Sequence, residues 1–369
     1  MERKQGTLEN LVNKDMFIKK FSGKRVFLTG HTGFKGTWMI LYLKSLGAIV
    51  RGYSNEVKDN SLYRHINGDE YCDSKIGNVC DLERLQSEIN SFVPDYIFHF
   101  AAQPLVRLSY DIPVETFSTN VIGTLNILEV LRSFNKVCKC IIVTTDKVYK
   151  NEEKNLPFKE TDELGGHDPY SASKSCAEMV TNSYLNSYFL KSETITVATA
   201  RAGNVIGGGD FSEDRLIPDI VQGILEKQVI KIRNPNAVRP WQHVLEALTG
   251  YLLLASKMDV KSTRFSGAWN FGPYAKDNLN VYQVTKMILE SWGSGQLELL
   301  SKVTNKHESN FLKLDISKSL DLLGWKPIYN SSEAIDLCVK WYKSFSSNPT
   351  SALDITNLQI EQYFSGNSY

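Results

Sequence analysis

Short apolar runs recur along the N-terminal half of the chain, and each is followed by a segment long enough to form a helix. The run KRVFLTG (24–30) precedes a glycine-rich turn and the helical stretch TWMILYLKSLG, which ends at Gly47. The next runs of strand character are AIVRGYS (48–54), YIFHFAA (96–102), CIIVTTD (140–146) and TVATARAGNV (196–205). This alternation predicts an α/β fold of the Rossmann type, in which helices cover both faces of a doubly wound parallel sheet.

Loops rich in glycine and proline replace this pattern after Arg201. They include GGGDFSEDRLIP (207–218) and IRNPNAVRPWQHV (232–244), and shorter elements follow them. We therefore expect two unequal lobes that share a cleft. The expected division is a loose N-terminal extension (1–15), a Rossmann domain (16–203, joined by about 240–257) and a smaller substrate-binding lobe (204–239 and 258–369).

Composition narrows the class of protein. The 42 Lys and Arg residues balance 41 Asp and Glu residues, so we expect no nucleic-acid partner. The six cysteines form no CxxC pair and no Cys/His spacing typical of a metal site, so we expect free thiols, no bound metal and a reducing compartment. No apolar run reaches the roughly 18 residues of a membrane span, and the N-terminus is polar. The expected location is the cytoplasm, away from the membrane.

The turn after the first predicted strand reads Gly30-His31-Thr32-Gly33-Phe34-Lys35-Gly36. Glycines at this spacing let the backbone approach a diphosphate, and the following helix offers free N–H groups at its N-terminus. The alternative is a tight turn that binds nothing, but its place in the first strand–helix–strand unit favours a dinucleotide. We therefore expect Gly30, Thr32, Gly33, Phe34, Lys35 and Gly36 to bind the cofactor.

The second predicted strand ends at Ser54 without the acidic residue that would bind the ribose 2′-OH of NAD. Local residues therefore leave the choice between NAD and NADP open. Asn78 follows a short run where an adenine contact is expected, although a solvated loop amide would look the same. The further cofactor-binding residues expected are Ser54, Asn78, Val79, Phe100, Ala101, Ala102, Gln103, Tyr170 and Lys174.

Tyr170 and Lys174 are four residues apart, which places both on one face of a helix. An ammonium and a nicotinamide cation nearby would favour the phenolate, so Tyr170 is expected to act as a base. Thr145 and Asp146 end a predicted strand at the edge where α/β sheets carry their chemistry. Asp146 is interpreted as a general acid or, equally well from its spacing, as a turn or N-cap residue.

Six stretches make the chain resemble the nucleotide-sugar 4,6-dehydratase branch of the extended short-chain dehydrogenase/reductase family. They are GHTGFKGTW (30–38), HFAAQPLVRLSY (99–110), TTDKVYKN (144–151), GGHDPYSASKSCAE (165–178), ARAGNVIGGGDFSEDRLIPD (200–219) and IRNPNAVRPWQHVLE (232–246). The resemblance implies a tightly held NAD and a role in deoxysugar biosynthesis. It also implies that Tyr170 removes the sugar 4-OH proton as hydride leaves C4, that Asp146 protonates the departing 6-OH, and that hydride returns to C6.

Lys147 stands where better-known members of this branch have a glutamate base. The Thr-Asp-Lys variant fits members that act on CDP-glucose, which is therefore the expected substrate. Lys147 is a candidate C5 base or enolate stabiliser, and a solvent-facing lysine is the alternative. The catalytic residues expected are Thr145, Asp146, Lys147, Tyr170 and Lys174, and the substrate-binding residues are Gln103, Asn204, Arg215, Leu216, Ile217, Pro218, Arg233, Arg239 and His243.

Other functions remain open from the sequence. Another nucleotide-sugar dehydratase would share most of these residues, and an epimerase would need only Tyr170, Thr145 and NAD. A non-catalytic dinucleotide sensor on the same fold would need no proton relay. Apolar stripes near Val114–Phe134 and Ser171–Leu190 predict a homodimer or tetramer.

Overall fold

The computed structural model of the chain describes residues 14–300 and 309–365. Its strands are β1 (Arg25–Thr29), β2 (Ile49–Ser54), β3 (Asp73–Ile76), β4 (Tyr96–His99), β5 (Cys138–Val143), β6 (Ile195–Ala202), β7 (Asn204–Ile206), β8 (Val229–Ile232), β9 (Val238–Arg239), β10 (Trp241–His243), β11 (Gly267–Phe271), β12 (Leu279–Asn280) and β13 (Gln296–Leu299). Its α-helices are α1 (Lys14–Phe21), α2 (Phe34–Ser45), α3 (Leu62–His65), α4 (Leu82–Phe92), α5 (Val106–Asp111), α6 (Pro113–Phe117), α7 (Gly123–Arg132), α8 (Pro169–Tyr184), α9 (Leu216–Leu225), α10 (Val244–Lys257), α11 (Val281–Trp292), α12 (Ser331–Ser347) and α13 (Ala352–Ser365).

Eight shorter helical turns complete the described elements. Five are 3-10 turns, at Gly68–Glu70, Asp146–Val148, Thr263–Phe265, Ala275–Asp277 and Pro349–Ser351. Three are π turns: Ser118–Ile122 joins α6 to α7, Leu185–Phe189 extends α8, and Ser319–Leu323 precedes α12.

Within the described residues, seven parallel strands form the central sheet in the order β11-β6-β5-β4-β1-β2-β3. The middle strands are mostly apolar because both of their faces are covered, and every residue of β6 is buried. The Rossmann-type α/β fold predicted from the alternating runs is confirmed. The order of the strands reverses between β1 and β4, which opens a crevice at their carboxyl ends.

A hydrophobic core lies on each face of the sheet. Helices α1, α2 and α10 cover one face, where Trp38 and Leu248 are fully buried. Helices α4, α7 and α8 cover the other face, where Phe27, Ile97 and Leu131 are fully buried. Burial of this much apolar side-chain surface holds the strand ends in fixed positions relative to one another.

The second lobe is not a continuous block of chain. Strand β11 lies in the region expected to belong to the substrate-binding lobe, but it pairs with β6 along its full length and closes the sheet. Its Trp269, Asn270 and Phe271 are fully buried, which explains the preference for the sheet over a surface position. The lobe boundary expected at 258 is therefore corrected, because 267–271 belongs to the Rossmann sheet.

The N-terminal part of the chain also differs in detail. Most of the expected loose extension lies outside the described residues, and its last two residues already belong to α1. The sheet also contains the edge strand β3, which has no apolar alternation that would predict it. None of the described helices combines the length and apolar character needed to cross a bilayer.

Candidate active site

A cleft of about 560 Å³ opens where the carboxyl ends of β4, β5 and β6 face the second lobe. Its walls come from the turn after β1, the segment after β4, the N-terminal half of α8 and the loops around α9. The residues that the sequence analysis named are distributed over these elements. Clefts at this position of a doubly wound sheet are the usual ligand sites of the fold.

The glycine-rich turn has the shape that a diphosphate requires. Gly30 has a φ of +72°, and a Cβ there would meet the backbone nitrogen of Ala101 at 2.7 Å. A Cβ on Gly36 would meet the carbonyl oxygen of Gly30 at 2.1 Å, so α2 can pack this closely only with glycine. A Cβ on Gly33, by contrast, would contact only that oxygen, at 3.4 Å. The N-terminus of α2 therefore faces open space without a side-chain cap, which fits an anionic group.

A hydrogen-bonded group supports this turn at the end of β2. Ser54 Oγ accepts from the backbone N–H of Thr32 at 3.3 Å and bonds His31 Nδ1 at 2.9 Å. The Thr32 hydroxyl donates to the carbonyl of Glu56 at 2.7 Å. Burial lowers the pKa of His31 to about 4, so the ring is neutral near pH 7. Ser54 and Thr32 therefore shape the turn from beneath it.

Asn78 and Val79 lie near the far end of this region. Asn78 is exposed, and its side-chain oxygen accepts from the backbone N–H of Cys80 at 2.9 Å. Val79 is buried in the core between the sheet and α7. The expectation that Val79 binds the cofactor stays a prediction, and its side chain packs inside the protein.

Two of the residues predicted after β4, Phe100 and Ala102, line the cleft. Ala101 donates its backbone N–H to Thr29 Oγ1 at 3.1 Å. Gln103 is buried, with its amide nitrogen 2.9 Å from Thr116 Oγ1 and its amide oxygen 2.6 Å from the backbone nitrogen of Leu105. The side chain of Gln103 thus bonds Leu105 in its own loop and Thr116 in α6. These contacts correct its expected role in cofactor and substrate binding.

Helix α8 presents Tyr170 and Lys174 to the cleft one turn apart. Asp168 is its N-cap and accepts from the backbone N–H of Ser171 at 2.9 Å, and Pro169 takes the first helical position. Burial raises the pKa of Tyr170 to about 12, while a hydrogen bond with Thr145 acts against this shift. Burial lowers the pKa of Lys174 to about 8, and its ammonium donates to the carbonyl of Val143 at 3.1 Å.

The end of β5 places three predicted catalytic residues together. Thr145 and Lys147 line the cleft, whereas Asp146 lies behind them and is fully buried. Asp146 Oδ1 accepts from Thr145 Oγ1 at 3.0 Å and from Lys147 Nζ at 3.1 Å. Its other oxygen, Oδ2, is buried and has no hydrogen-bond partner among the described residues. The pair Asp146–Lys147 is therefore a buried carboxylate joined to a cleft-facing ammonium.

Most of the predicted substrate-binding residues face this cleft from the second lobe. They are Asn204, Arg215, Leu216, Ile217, Pro218, Arg233 and Arg239. The side-chain oxygen of Asn204 is buried without a partner in the part of the chain that the structure describes. Arg215 donates to Asp210 at 3.1 Å, and Arg239 donates to the backbone carbonyl of Val238 at 2.9 Å.

His243 lies elsewhere. It is fully buried at the N-cap of α10, where its Nδ1 accepts from the backbone N–H of Leu245 at 3.3 Å. The ring contacts the edges of Trp38 and Tyr329, and burial lowers its pKa to about 3. The expected role of His243 in substrate binding is therefore corrected to a role in the core.

The structure also adds residues to the cleft that the sequence analysis did not select. Arg107 in α5 and Arg233 both donate to Asp214 Oδ1, at 3.0 and 3.3 Å. Asp214 has a φ of +57°, an uncommon conformation for a residue with a side chain. Arg107 lies inside the stretch 99–110 that carries the family resemblance, and that position was the available signal. A carboxylate shared by two arginines occupies the kind of site that also suits a phosphate.

Eight basic side chains line the cleft: Lys35, Arg107, Lys147, Lys174, Arg215, Lys231, Arg233 and Arg239. Desolvation together with the charges of Arg215 and Lys174 lowers the pKa of Lys35 to about 7. Such a cleft, with the open turn at Gly33, fits a dinucleotide beside a second diphosphate-containing ligand. Three groups together can carry out proton transfers at a hydroxyl group. They are the phenol of Tyr170, the ammonium of Lys174 and the buried carboxylate of Asp146.

Comparison with known proteins places the chain among sugar-nucleotide enzymes. A family model described as GDP-mannose 4,6 dehydratase matches residues 27–337. The CDP-glucose 4,6-dehydratase of Salmonella typhimurium is 44% identical over 336 residues, which cover 89% of this chain and 94% of that protein. The dTDP-glucose 4,6-dehydratase of Xanthomonas campestris pv. campestris strain B100 is 28% identical, over 72% of this chain and 77% of that protein.

Solved structures show the same fold. The dTDP-glucose 4,6-dehydratase of Bacillus anthracis, solved in complex with NAD, superposes with a TM-score of 0.75 at 22% identity. The match covers 88% of this chain and 98% of the other. The UDP-glucose 4-epimerase of Thermotoga maritima gives a TM-score of 0.76 at 23% identity, over 87% of this chain and 99% of that one. The fold is therefore shared by dehydratases and epimerases, and the reaction has to be argued from the site.

Proposed function

Because the chain belongs to the GDP-mannose 4,6-dehydratase family, we propose that it removes water from CDP-glucose to give CDP-4-dehydro-6-deoxy-glucose. The relative that is 44% identical over most of both chains carries out this reaction by name. The cofactor is NAD, which solved structures of the same fold contain. When bound, NAD accepts a hydride from the sugar and returns it within one turnover.

The observation that carries this proposal is the Asp146–Lys147 pair at the cleft wall. An epimerase needs a base at a hydroxyl group, for which Tyr170 and Thr145 suffice. Elimination of water also needs an acid for the departing hydroxyl and a group that removes the neighbouring C–H proton. Asp146 and Lys147, joined by a 3.1 Å hydrogen bond, supply two proton-transfer groups in addition to Tyr170.

In the first step Tyr170 takes the proton of the sugar 4-hydroxyl. Its phenolate is supported by the hydrogen bond with Thr145 and by the positive charge of Arg215. Lys174 adds a second ammonium one helical turn away, held in place by the carbonyl of Val143. These groups favour the phenolate against the cost of burial.

In the elimination step Asp146 and Lys147 act as a unit. Transfer of one proton along their hydrogen bond converts the ion pair into a neutral amine and a carboxylic acid. The amine then accepts the C5 proton, and the acid gives its proton to the 6-hydroxyl, which leaves as water. The pair returns to its original charges, so the step balances without any other proton donor.

Arginines from both sides of the cleft hold the CDP diphosphate in this proposal. Arg107 of α5 and Arg233 share Asp214 and could exchange it for a phosphate, and Arg215 follows Asp214 in the chain. Asn204 offers a buried amide at the same wall. Planar guanidinium groups bind phosphate oxygens in pairs, which fixes the sugar relative to Tyr170.

We also propose that two copies of the chain associate through α6, α7 and α8, within the ranges 114–134 and 171–190. Val114 is 79% exposed, and Ile122 and Met179 are also exposed on this face. A contiguous apolar face of this kind supports an interface between subunits. Light scattering at micromolar concentration should show a dimer or tetramer, and a monomer would contradict the proposal.

A reducing compartment such as the cytoplasm is proposed on the chemistry of the cysteines. All six are free thiols, and three of them, Cys138, Cys140 and Cys338, are buried. Disulfides are rare where glutathione keeps thiols reduced, and none is formed here.

The proposed reaction can be tested by incubating the purified protein separately with CDP-glucose, UDP-glucose and dTDP-glucose. We expect the alkali-induced absorbance of a 4-keto-6-deoxy sugar with CDP-glucose only. Formation of this product from UDP-glucose or dTDP-glucose instead would mean that the proposed substrate is wrong and that the other sugar nucleotide takes its place. Conversion to an epimer without loss of water would replace the dehydratase by an epimerase.

A further inference from the structure

A buried carboxylate lies directly beneath the catalytic residues of α8 and β5. Glu178 Oε1 accepts from Thr144 Oγ1 at 2.5 Å and from Arg201 Nε at 2.9 Å. Glu178 Oε2 accepts from Thr199 Oγ1 at 2.8 Å and from Arg201 Nη2 at 2.9 Å. Glu178 and Arg201 therefore form an ion pair, and each of the two side chains is 4% exposed. Glu178 is thus held by four hydrogen bonds, one from Thr144 directly after β5 and three from Thr199 and Arg201 in β6.

Thr144 and Arg201 connect this carboxylate to the cleft and to strand β11. Thr144 precedes Thr145 and lines the cleft itself. The remaining guanidinium nitrogen of Arg201 donates to Tyr149 OH at 2.9 Å, and Tyr149 donates to Asn270 at 2.6 Å. The pair thus ties the end of β5, which carries the Asp146–Lys147 pair, to β6 and β11.

Glu178 also stands one helical turn after Lys174, just as Tyr170 stands one turn before it. Burial lowers the pKa of Lys174, and the negative charge of Glu178 acts against that shift. The other titratable groups that face Lys174 are Tyr170 on α8, Lys35 in the turn after β1 and His99 at the end of β4. His99 is neutral, because burial lowers its pKa to about 3.

We infer that Glu178, clamped by Arg201, is a positioning residue for the reaction proposed above. It sets the distance between the end of β5 and α8, and it provides the negative charge that faces Lys174. The inference rests on the proposed function, because the step that Glu178 supports belongs to that reaction. The contacts of Glu178 within the protein do not depend on which substrate binds.

A purely structural role would predict a different outcome. Buried ion pairs are often replaceable by apolar residues of similar size without loss of stability, because the cost of desolvating both charges disappears with them. A chain that needed only a packed core here would accept such a replacement with unchanged catalysis. A positioning role predicts that folding survives and catalysis does not.

Two double variants separate geometry from charge. Glu178→Gln with Arg201→Met keeps one acceptor oxygen, for Thr144 or Thr199, but removes both charges. Glu178→Met with Arg201→Met removes the acceptor as well. Arg51→Met is the matched control, because Arg51 pairs with Asp73 and Glu88 at the far edge of the sheet.

We expect urea unfolding to show that both double variants fold. The Met/Met variant should lose about 100-fold in kcat with little change in KM, as a displacement of about 1 Å would cause. The Gln/Met variant should lose less kcat, but the alkaline limb of its pH profile should move about one unit lower, since Lys174 loses its proton earlier without a facing carboxylate. Arg51→Met should change neither quantity.

Selective carbon-13 labelling of lysine side chains adds a readout that needs no substrate. The Lys174 signal, assigned by its absence in Lys174→Met, should titrate about one pH unit lower in the Gln/Met variant than in the wild type. If the proposed substrate is wrong, the wild type fails with CDP-glucose, yet this titration still reports on Glu178.

Wild-type kcat and an unshifted Lys174 titration in folded variants would overturn the inference. Should the double variants not fold, Thr144→Val removes a single hydrogen bond and leaves the ion pair in place. That variant should lose about tenfold in kcat at constant KM, in proportion to the net contribution of one hydrogen bond to a charged group. Unchanged kcat in Thr144→Val would likewise overturn it.

Discussion

Replacing Lys147 by Met tests the division of the reaction into oxidation and elimination. The substitution keeps the length of the stem and removes the ammonium that bonds Asp146 Oδ1 at 3.1 Å. Lys147 is 24% exposed while Asp146 is fully buried, so the variant leaves a buried carboxylate with one remaining hydrogen bond, from Thr145. We expect a loss of about 1–3 kcal/mol in the free energy of unfolding, which a folded enzyme can sustain.

The catalytic effect should be larger and confined to one half of the reaction. A positioned proton-transfer group contributes about 10²–10⁴-fold in rate, which corresponds to about 3–5 kcal/mol of barrier. Proton removal from the 4-hydroxyl depends on Tyr170, Lys174 and Thr145. None of these three residues forms a described hydrogen bond with the side chain of Lys147. We therefore expect oxidation at C4 to proceed at nearly the normal rate while loss of water slows by that factor.

Stopped-flow mixing with CDP-glucose measures both halves. The absorbance of reduced nicotinamide should rise at close to the wild-type rate and then persist, while samples quenched in alkali should contain little 4-keto-6-deoxy sugar. Lys150→Met is the matched control, since Lys150 is 50% exposed and pairs with Glu163 on the outside of the same segment. It should behave as the wild type.

Two results would refute this reasoning. Dehydrated product at close to the normal rate would mean that Lys147 only faces solvent. Absence of any nicotinamide signal would place Lys147 in substrate binding or in the first half-reaction, and the proton shift proposed for the Asp146–Lys147 pair would have to be abandoned.

Three further outcomes are expected. Tyr170→Phe should abolish turnover while NAD titration gives a nearly unchanged Kd, and a variant with more than a tenth of the wild-type rate would remove the assigned base. Arg107→Met should weaken CDP binding about tenfold by calorimetry, since one charge-assisted contact is worth about 1.5–3 kcal/mol; an equal Kd would exclude Arg107 from the diphosphate site. His243→Phe should leave KM for CDP-glucose unchanged. Because burial lowers the pKa of His243 to about 3, the unfolded chain binds its proton below about pH 6.5 and the folded chain does not, so stability is lost as pH falls. Urea unfolding of His243→Phe between pH 6 and 5 should therefore show a slope smaller by about 1 kcal/mol per pH unit than the wild type, and an equal slope would contradict the buried neutral ring.

The sequence predicted the middle of the sheet well because burial on both faces leaves a readable signal. Five of the six residues of β5 are apolar, and β6 is buried at every position. Strand β3, with Asp73, Ser74 and Lys75, lies at the edge and has only one neighbour, so its side chains carry no such pattern. Strand β11 was assigned to the wrong lobe because its partner β6 lies far away in the chain, and a local pattern does not report a distant partner.

The site was predictable where chemistry demands one residue type at a fixed spacing. Tyr170 and Lys174 share a helical face, and Thr145 lies at a strand end, so local geometry was enough to bring them to the cleft. The predicted binding roles of His243 and Gln103 were wrong for the same reason. Both are polar residues in stretches shared with the family, and their polar atoms bond the local backbone, which sequence cannot distinguish from contact with a ligand.

The return of the chain to the sheet at β11 has a consequence for how the protein can be divided. A fragment that ends before Gly267 would lack the strand that covers the outer edge of β6, and it would leave a long row of unpaired backbone groups on a strand that is buried along its whole length in the intact protein. Such an edge recruits strands from other molecules, so truncation should give aggregates in place of a smaller cofactor-binding unit. During synthesis the sheet would stay open until residues 267–271 emerge, so the Rossmann half of this enzyme cannot be completed before most of the chain has been made.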